Sequence, residues 1–336
     1  MSFFSKFISN IKSMMSKGEE ETVSRTRYII LNKLHSAKYS KVYHCKLREN
    51  NQDICLKIYS AKHTRHSTTF EDQILNEINI LRKVNHPCLL GCFNVFLTEQ
   101  KAILEMDFMN GGDLYDFLTE HGIQKEASVK IVARRLMSAV KYLHEVKIIH
   151  RDIKLENILL ERKNDISSIK LSDFGLSIEL ESEMLLTEQV GTSYYMAPEL
   201  YRKTPYGNKI DCWSCGVVLY ALLFGMFPFP GENQELIKNI LRGKFTFPTT
   251  NGMSEECQDF INGLLKKNVS ERLSSVKAIQ HEFLDGKEIL GSALKIEGDT
   301  IRNRNSESLI SHLTTTNDTT NTYDYDSDEF DDDDVF

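Results

Sequence analysis

The stretch HRDIKLENILL, residues 150–160, puts a base, two acids, a cation and an amide within eight positions. Asp152 can take a proton from an attacking hydroxyl, and Lys154, two residues on, can neutralise charge on a transferring phosphate. KLSDFGLS, residues 170–177, follows, with Asp173 ahead of the flexible Gly175. Asn157 and Asp173 together form a hard oxygen-donor pair of the kind Mg²⁺ prefers. GTSYYMAPE lies at 191–199. Upstream, ICLK ends in Lys57, and Glu77 stands twenty residues later. Taken singly, each has an ordinary reading: a strand lysine is usually solvated, and Asp-Phe-Gly occurs by chance. Their joint occurrence in this order is what calls for chemistry.

Groups so far apart in sequence need rigid elements to bring them together. From 28 to about 107 the pattern is strand-like, in YIILNKL, KVYHCKL, DICLKIY, CFNVFL and AILEMDF. One helical stretch interrupts it, FEDQILNEINILRKV, with apolar residues at 74, 75, 78, 80, 81 and 84. After 111 the character turns helical, most clearly in SVKIVARRLMSAVKYLHE and in the segment around Trp213. The expected fold class is α+β and bilobal: a small β-rich lobe with one helix at 28–107 and a larger helical lobe at 111–285. The uncharged run CGVVLYALLFGMFPFP, 215–230, is shorter than the ~18–20 residues of a membrane span and reads as a buried helix.

The flanks differ from this body. Residues 1–27 form an N-terminal extension whose first 17 residues carry an apolar stripe at helical spacing with Lys6, Lys12 and Lys17. It reads either as a helix docked on the body or as a membrane-surface or targeting helix. Ser at position 2 excludes the N-myristoylation pattern. Residues 286–336 read as a largely disordered tail. Its last twenty residues hold nine acids and no Lys or Arg, so the chain's net −7 belongs to the tail and the remainder carries +2. A nearly neutral body does not suggest a global basic patch for nucleic acid. Seven cysteines in a long chain without a signal peptide fit a reducing compartment, expected to be cytoplasmic, with nuclear or membrane-peripheral sites left open. Cys212 and Cys215 in DCWSCG have no second pair at zinc spacing and are read as buried helix cysteines.

The motifs at 150–160, 170–177 and 191–199, with Lys57 and Glu77, resemble the signature set of the eukaryotic-type protein kinases over residues 28–285. The resemblance implies a phosphotransferase that uses ATP and Mg²⁺ and acts on proteins. Lys57 resembles the lysine that holds the α- and β-phosphates, and Glu77 its helix partner. Met106, Asp107, Phe108 and Met109 resemble the gatekeeper and hinge, and Asp113 the acid near the ribose. Val42, Cys55 and Leu159 resemble the apolar walls around adenine, and Leu34, Tyr39 and Val42 the non-glycine landmarks of the nucleotide-covering loop. Asp152 resembles the catalytic base, Lys154 its helper, and Asn157 and Asp173 the metal ligands. Glu199 and Arg272 resemble a buried ion pair, and Asp211 the brace of the catalytic loop. Lys154 and Thr192 imply Ser/Thr specificity, and HPCLLGCF, NGGDLYDFL and FGMFPFPG are most similar to the calcium/calmodulin-dependent group. No EF-hand loop and no basic amphipathic helix after 285 is read in the sequence, so calcium control is not implied.

Two questions stay open at this level. The segment LNKLHSAKYSKVYHCK, 31–46, sits where the family has its glycine-rich phosphate loop, but His35, Ala37 and Ser40 occupy the glycine positions. Filled glycines hinder approach of the backbone to phosphate, while Ser40 gains a hydroxyl donor. The alternative to an active enzyme is therefore a pseudokinase or weakly active scaffold. Regulation is the second. Arg151 implies ordering by a phosphate on the activation segment, for which Thr187 is the first candidate and Ser182 the second, against a plain solvated loop. Glu156 and Asp113 imply a mild preference for basic substrates, which Ala221 in LYALL counters. The tail, with Ser327 among acids, is read as a pseudosubstrate, a partner site or a solvated end.

Overall fold

A computed structural model of the chain describes residues 27–36, 40–60, 68–97, 101–180, 185–248 and 252–285. The N-terminal helix expectation for 1–17, the loop tip at 37–39, Ser182 and the tail lie outside the described residues. The chain divides into two compact units. One takes the described residues up to Asn85 with Leu90–Met109, and the other His86–Leu89 with those from Asn110 onward.

The first unit is an antiparallel five-stranded sheet: β1 (Tyr28–Ser36), β2 (Ser40–Leu47), β3 (Asp53–Ser60), β4 (Cys92–Leu97) and β5 (Lys101–Asp107), in the order β1-β2-β3-β5-β4. Side chains alternate across a strand, so β3 sends Ile54, Leu56 and Ile58 one way and Cys55, Lys57 and Tyr59 the other. The first set packs with Tyr28, Tyr43, Cys45, Leu47, Phe96 and Ile103 into a buried cluster. Register puts Val42 opposite Lys57, and Cys55 opposite Met106. The face opposite the core thus gathers Val42, Cys55 and Lys57. Helix α1 (Thr68–Lys83) buries Ile74, Ile78 and Leu81 and packs against β4.

The second unit is built on helices α2 (Leu114–His121), α3 (Glu126–Glu145), α4 (Pro198–Arg202), α5 (Lys209–Phe224), α6 (Asn233–Arg242), α7 (Glu255–Leu264) and α8 (Ser275–Ile279). α3 shows one apolar face, with Val129, Val132, Ala133, Leu136, Met137 and Val140 buried, and packs against α5 and α8. α5 is buried all round, with only Lys209 and Ser214 outside that class, as its continuous apolar sequence dictates. Cys212 and Cys215 lie inside it, and burial pushes the Cys212 thiol up to about 12. All seven cysteines are free thiols. Among the described residues no helix is long and apolar enough to cross a membrane. Two small ribbons, which the sequence pattern did not announce, complete the unit: β6 (Ile148–Ile149) with β9 (Ile178–Glu179), and β7 (Ile158–Leu160) with β8 (Ile169–Leu171).

Candidate active site

The ribbons explain how 150–160 and 170–177 meet. Ile158 pairs with Leu171, and the Ser172 N–H and hydroxyl both donate to the Asn157 carbonyl, at 2.8 and 2.9 Å. Asn157 and Asp173 are thereby carried at the same end of one ribbon. The loop before them hangs on Asp211 of α5, whose carboxylate accepts from the backbone N–H of His150 (2.9 Å) and of Arg151 (3.0 Å) and pairs with His144 (2.9 Å). Burial works to raise the Asp211 pKa, but the bond from His144 and the nearby imidazoles outweigh it and hold the carboxyl below its usual range. His150 is fully buried: Nε2 donates to the Ser172 carbonyl (3.0 Å) and Nδ1 accepts from the Asp152 N–H (3.3 Å). Both ring nitrogens are thus spent on architecture.

Both Asp152 oxygens are engaged. Oδ1 accepts from the Thr192 hydroxyl (2.8 Å) and N–H (3.1 Å), and Oδ2 from the Asn157 amide (3.0 Å), with Lys154 Nζ at 3.1 Å. Lys154 also donates to the Thr192 hydroxyl at 3.1 Å. Thr192 reaches the loop because Gly191, at φ +104°, lies against it: a Cβ there would stand 2.7 Å from the Arg151 carbonyl oxygen. Arg151 (φ 69°) and Asp173 (φ 62°) are non-glycine residues in the left-handed region, a strain that clusters at functional sites. The Arg151 guanidinium donates to the Leu176 carbonyl (2.6 Å), the Tyr206 hydroxyl (3.3 Å) and Glu188 (3.3 Å). Thr187, beside Glu188, is exposed.

Nearby carboxyls are perturbed. Asp113 caps α2, accepting from the Asp116 N–H at 2.8 Å. Burial, aided by the charges of Asp116 and Glu156, pushes its pKa up to about 6. Burial also raises that of Glu156, whose carboxylate lies 3.5 Å from the Tyr195 hydroxyl. Leu159 is half-buried on β7.

In the first unit Lys57 Nζ donates to Glu77 Oε1 at 2.7 Å, joining β3 to α1. The Tyr59 hydroxyl takes the other Glu77 oxygen. The sequence reading missed this tyrosine, although its position two residues after Lys57 on the same strand face was a usable signal. Asp107 turns its carboxylate to the Gly91 N–H at 2.9 Å, and Phe108 stacks on His44 with ring centroids 3.6 Å apart. The segment of the questioned glycine loop is a true hairpin: Ser36 pairs with Lys41 and His35 with Val42, with an irregularity between Lys33 and His35 that takes in Leu34.

A family model described as the protein kinase domain matches residues 28–284. The chain belongs to the protein kinase family. It is 34% identical over 260 residues to myosin light chain kinase A of Dictyostelium discoideum, covering 76% of this chain and 88% of that one. It is 34% identical over 287 residues to rat (Rattus norvegicus) calcium/calmodulin-dependent protein kinase type 1B, covering 83% and 82%. A type 1 calcium/calmodulin-dependent kinase of Macrobrachium nipponense is 33% identical over 264 residues, covering 77% and 75%. The enzyme is a protein serine/threonine kinase, and nothing in these likenesses supports the scaffold alternative. The family generally uses ATP and Mg²⁺, and the donor set of this kinase fits the cation. Both amide hydrogens of Asn157 are directed at Asp152, to its carbonyl (2.8 Å) and its carboxylate (3.0 Å), which turns the amide oxygen outward as a hard ligand. Asp173 adds an exposed carboxylate at the same ribbon end.

Proposed function

We propose that this kinase moves the terminal phosphoryl group of ATP to Ser and Thr hydroxyls of proteins with Asp152 as proton acceptor. The observation that carries the reading is the Asp152 carboxylate, oriented on both oxygens by Thr192 and Asn157 with Lys154 at 3.1 Å. As the substrate oxygen bonds to phosphorus and the bond to the leaving oxygen breaks, the hydroxyl proton passes to Asp152. Lys154 supplies positive charge beside it. Bound Mg²⁺ would neutralise charge on the phosphates, and Asn157 and Asp173 are the residues that would hold it. Lys57, tied to Glu77, would take the α- and β-phosphates. Leu34, Val42, Cys55 and Leu159 would line the adenine, the backbone of Asp107 and Met109 would meet its polar edge, and Asp113 would serve the ribose. A wild-type enzyme that transfers phosphate to Ser/Thr peptides no faster than Asp152→Asn would replace this reading with a scaffold.

The phosphate hairpin sets the ATP affinity. Ser40→Gly removes the Cβ that keeps backbone from phosphate, and the KM for ATP is expected to fall roughly two- to tenfold, the worth of about one hydrogen bond. An unchanged or higher KM, measured at saturating peptide, assigns Ser40 a phosphate contact of its own.

Substrate choice follows the acids. Asp113 and Glu156 favour an arginine on the substrate, and only the ionised carboxylate attracts it. With the Asp113 pKa at about 6, protonation on going from pH 7.5 towards pH 5.5 removes that attraction. The KM of a basic peptide is expected to rise over this range relative to that of a neutral peptide, and Asp113→Asn, which keeps the helix cap, should level the two. Equal pH profiles for both peptides in the wild type would sink the assignment.

Thr187 is the proposed activating site. A phosphate there, with about twice the charge of Glu188 and more acceptor oxygens, would displace it from Arg151. Thr187→Ala is expected to keep basal turnover and lose the gain that follows autophosphorylation. A full gain in that variant would move the role to Ser182 or abolish it.

A further inference from the structure

We propose that the acidic segment 317–336 of this chain docks in a basic cleft between the ends of α4, α6 and α7. The cleft has a volume of about 520 Å³ and is lined by Arg202, Lys266 and Lys267 around Phe245 and Leu265, with Glu271 as the one acid. Glu271 is occupied by the Asn268 amide at 2.8 Å. Arg202, Lys266 and Lys267 are exposed and pair with no carboxylate among the described residues. Lys203, Arg242 and Lys244, the chain neighbours of Arg202 and Gly243, are equally exposed and unpaired among them. In a body of net charge only +2, three unpaired cations lining one concavity, with three more next to its lining residues in the chain, are a local excess.

The rim is pre-organised. Arg272 Nε donates to the Lys266 carbonyl at 2.9 Å, and Lys209 Nζ donates to the carbonyls of Val269 (2.6 Å) and Arg272 (2.8 Å). Gly243, at φ +66°, lies so close under Lys267 that a Cβ would stand 2.8 Å from the lysine's own Cβ. A rigid rim lowers the ordering cost of binding.

The occupant is set by chemistry and reach. Segment 317–336 carries nine acids interleaved with Tyr323, Tyr325 and Phe330, which answers a cationic rim over an aromatic and aliphatic floor. The described chain ends near the cleft: His281 pairs with Asp259 at 3.2 Å and Phe283 packs against Phe260 with tilted rings, centroids 5.3 Å apart. Asn262 and Leu265, on the cleft, are one to two helical turns further along, ~5–10 Å. A polar connection of the length of residues 286–316 spans about 30 Å on average, which more than covers that distance. Tethering supplies an effective concentration on the order of millimolar, so modest contacts suffice.

The test is zero-length carbodiimide cross-linking of the full chain at low salt, with the linked peptides mapped by mass spectrometry. Lys266 or Lys267 is expected to be joined to carboxylates of 317–336 in yields independent of protein concentration. About 0.5 M NaCl, where the Debye length is ~4 Å, should remove the links. Arg202→Gln, which removes an exposed cation and adds neither amine nor carboxylate to the cross-linking chemistry, is expected to lower the yield roughly fivefold. Replacing Asp331, Asp332, Asp333 and Asp334 by Asn should lower the yield of links to the remaining carboxylates, among them Asp324, Asp326, Asp328 and Glu329, while leaving the melting temperature unchanged. Links spread over all exposed lysines without enrichment at 266 and 267 would overturn the proposal. So would links that form between isotope-labelled and unlabelled copies, or yields that neither charge variant changes.

Discussion

Asp152→Asn is expected to lower kcat for a Ser/Thr peptide by about 10²–10⁴, the range of a positioned general base, while the melting temperature changes little. The side chain keeps its shape, so packing at this buried position is preserved. What changes is the hydrogen-bond pattern. In the wild type every group that faces the carboxylate is a donor: the Thr192 N–H and hydroxyl on Oδ1, and the Asn157 amide and Lys154 ammonium on Oδ2. An amide has one acceptor and one donor end. Whichever way the substituted side chain turns, its NH₂ meets another donor, so it loses orientation as well as basicity. Because the interaction matters as the proton moves, kcat and kcat/KM should fall together, with the KM for ATP nearly unchanged. Steady-state assay with Mg-ATP and a Ser/Thr peptide gives the answer, and an unchanged kcat would require another base. The ionisable side chain in direct contact with the Asp152 carboxylate is Lys154, already a cation.

The parts of this site that were legible share one property: a local sequence signal. Lys57 stands out on a strand whose alternation is otherwise apolar on the core side, and Glu77 lies on a stretch with clean helical periodicity. The strands read as YIILNKL, KVYHCKL, DICLKIY, CFNVFL and AILEMDF are β1 to β5, because each has one face that must be buried. The invisible parts depend on partners far along the chain. Glu105, inside the apolar-looking AILEMDF, is buried at 3% exposure because the Tyr28 hydroxyl reaches it at 2.8 Å and Arg27 at 3.3 Å, from positions 77 and 78 residues away. No periodicity encodes such a contact. The ribbons β6–β9 and β7–β8 are two and three residues long, too short for alternation to show. Yet β7–β8 is what carries Asn157 and Asp173 to a common end. His150 shows a further limit: composition offers it as a base, and only its full burial with both nitrogens bonded removes it from the chemistry.

The Glu199–Arg272 pair is expected to give the largest stability effect. Its oxygens and nitrogens meet in a two-pronged contact at 2.6 and 2.9 Å, with Arg272 1% and Glu199 4% exposed. The guanidinium also donates to the Lys209 and Lys266 carbonyls, at 3.1 and 2.9 Å, and lies 5.0 Å above the Trp213 ring. Arg272→Ala would leave the Glu199 carboxylate buried without a counter-ion, at a cost of about 3–5 kcal/mol. For a unit of this size that corresponds to a drop in melting temperature of roughly 6–20 °C. Arg272→Lys should recover only part of the loss, because an ammonium cannot engage both oxygens, satisfy two carbonyls and cover an indole at once. The cause is separable from lost volume by the double variant Glu199→Gln with Arg272→Met. If the uncompensated charge dominates, the pair of substitutions is less damaging than Arg272→Ala alone, since neither new side chain is ionised. Additive losses in thermal melts would instead assign the cost to packing around Trp213. Because Glu199 lies in the first turn of α4, a few residues after Thr192 binds Asp152, the same variants should lower kcat in step with the lost order of that segment, with Arg272→Lys intermediate between wild type and Arg272→Ala.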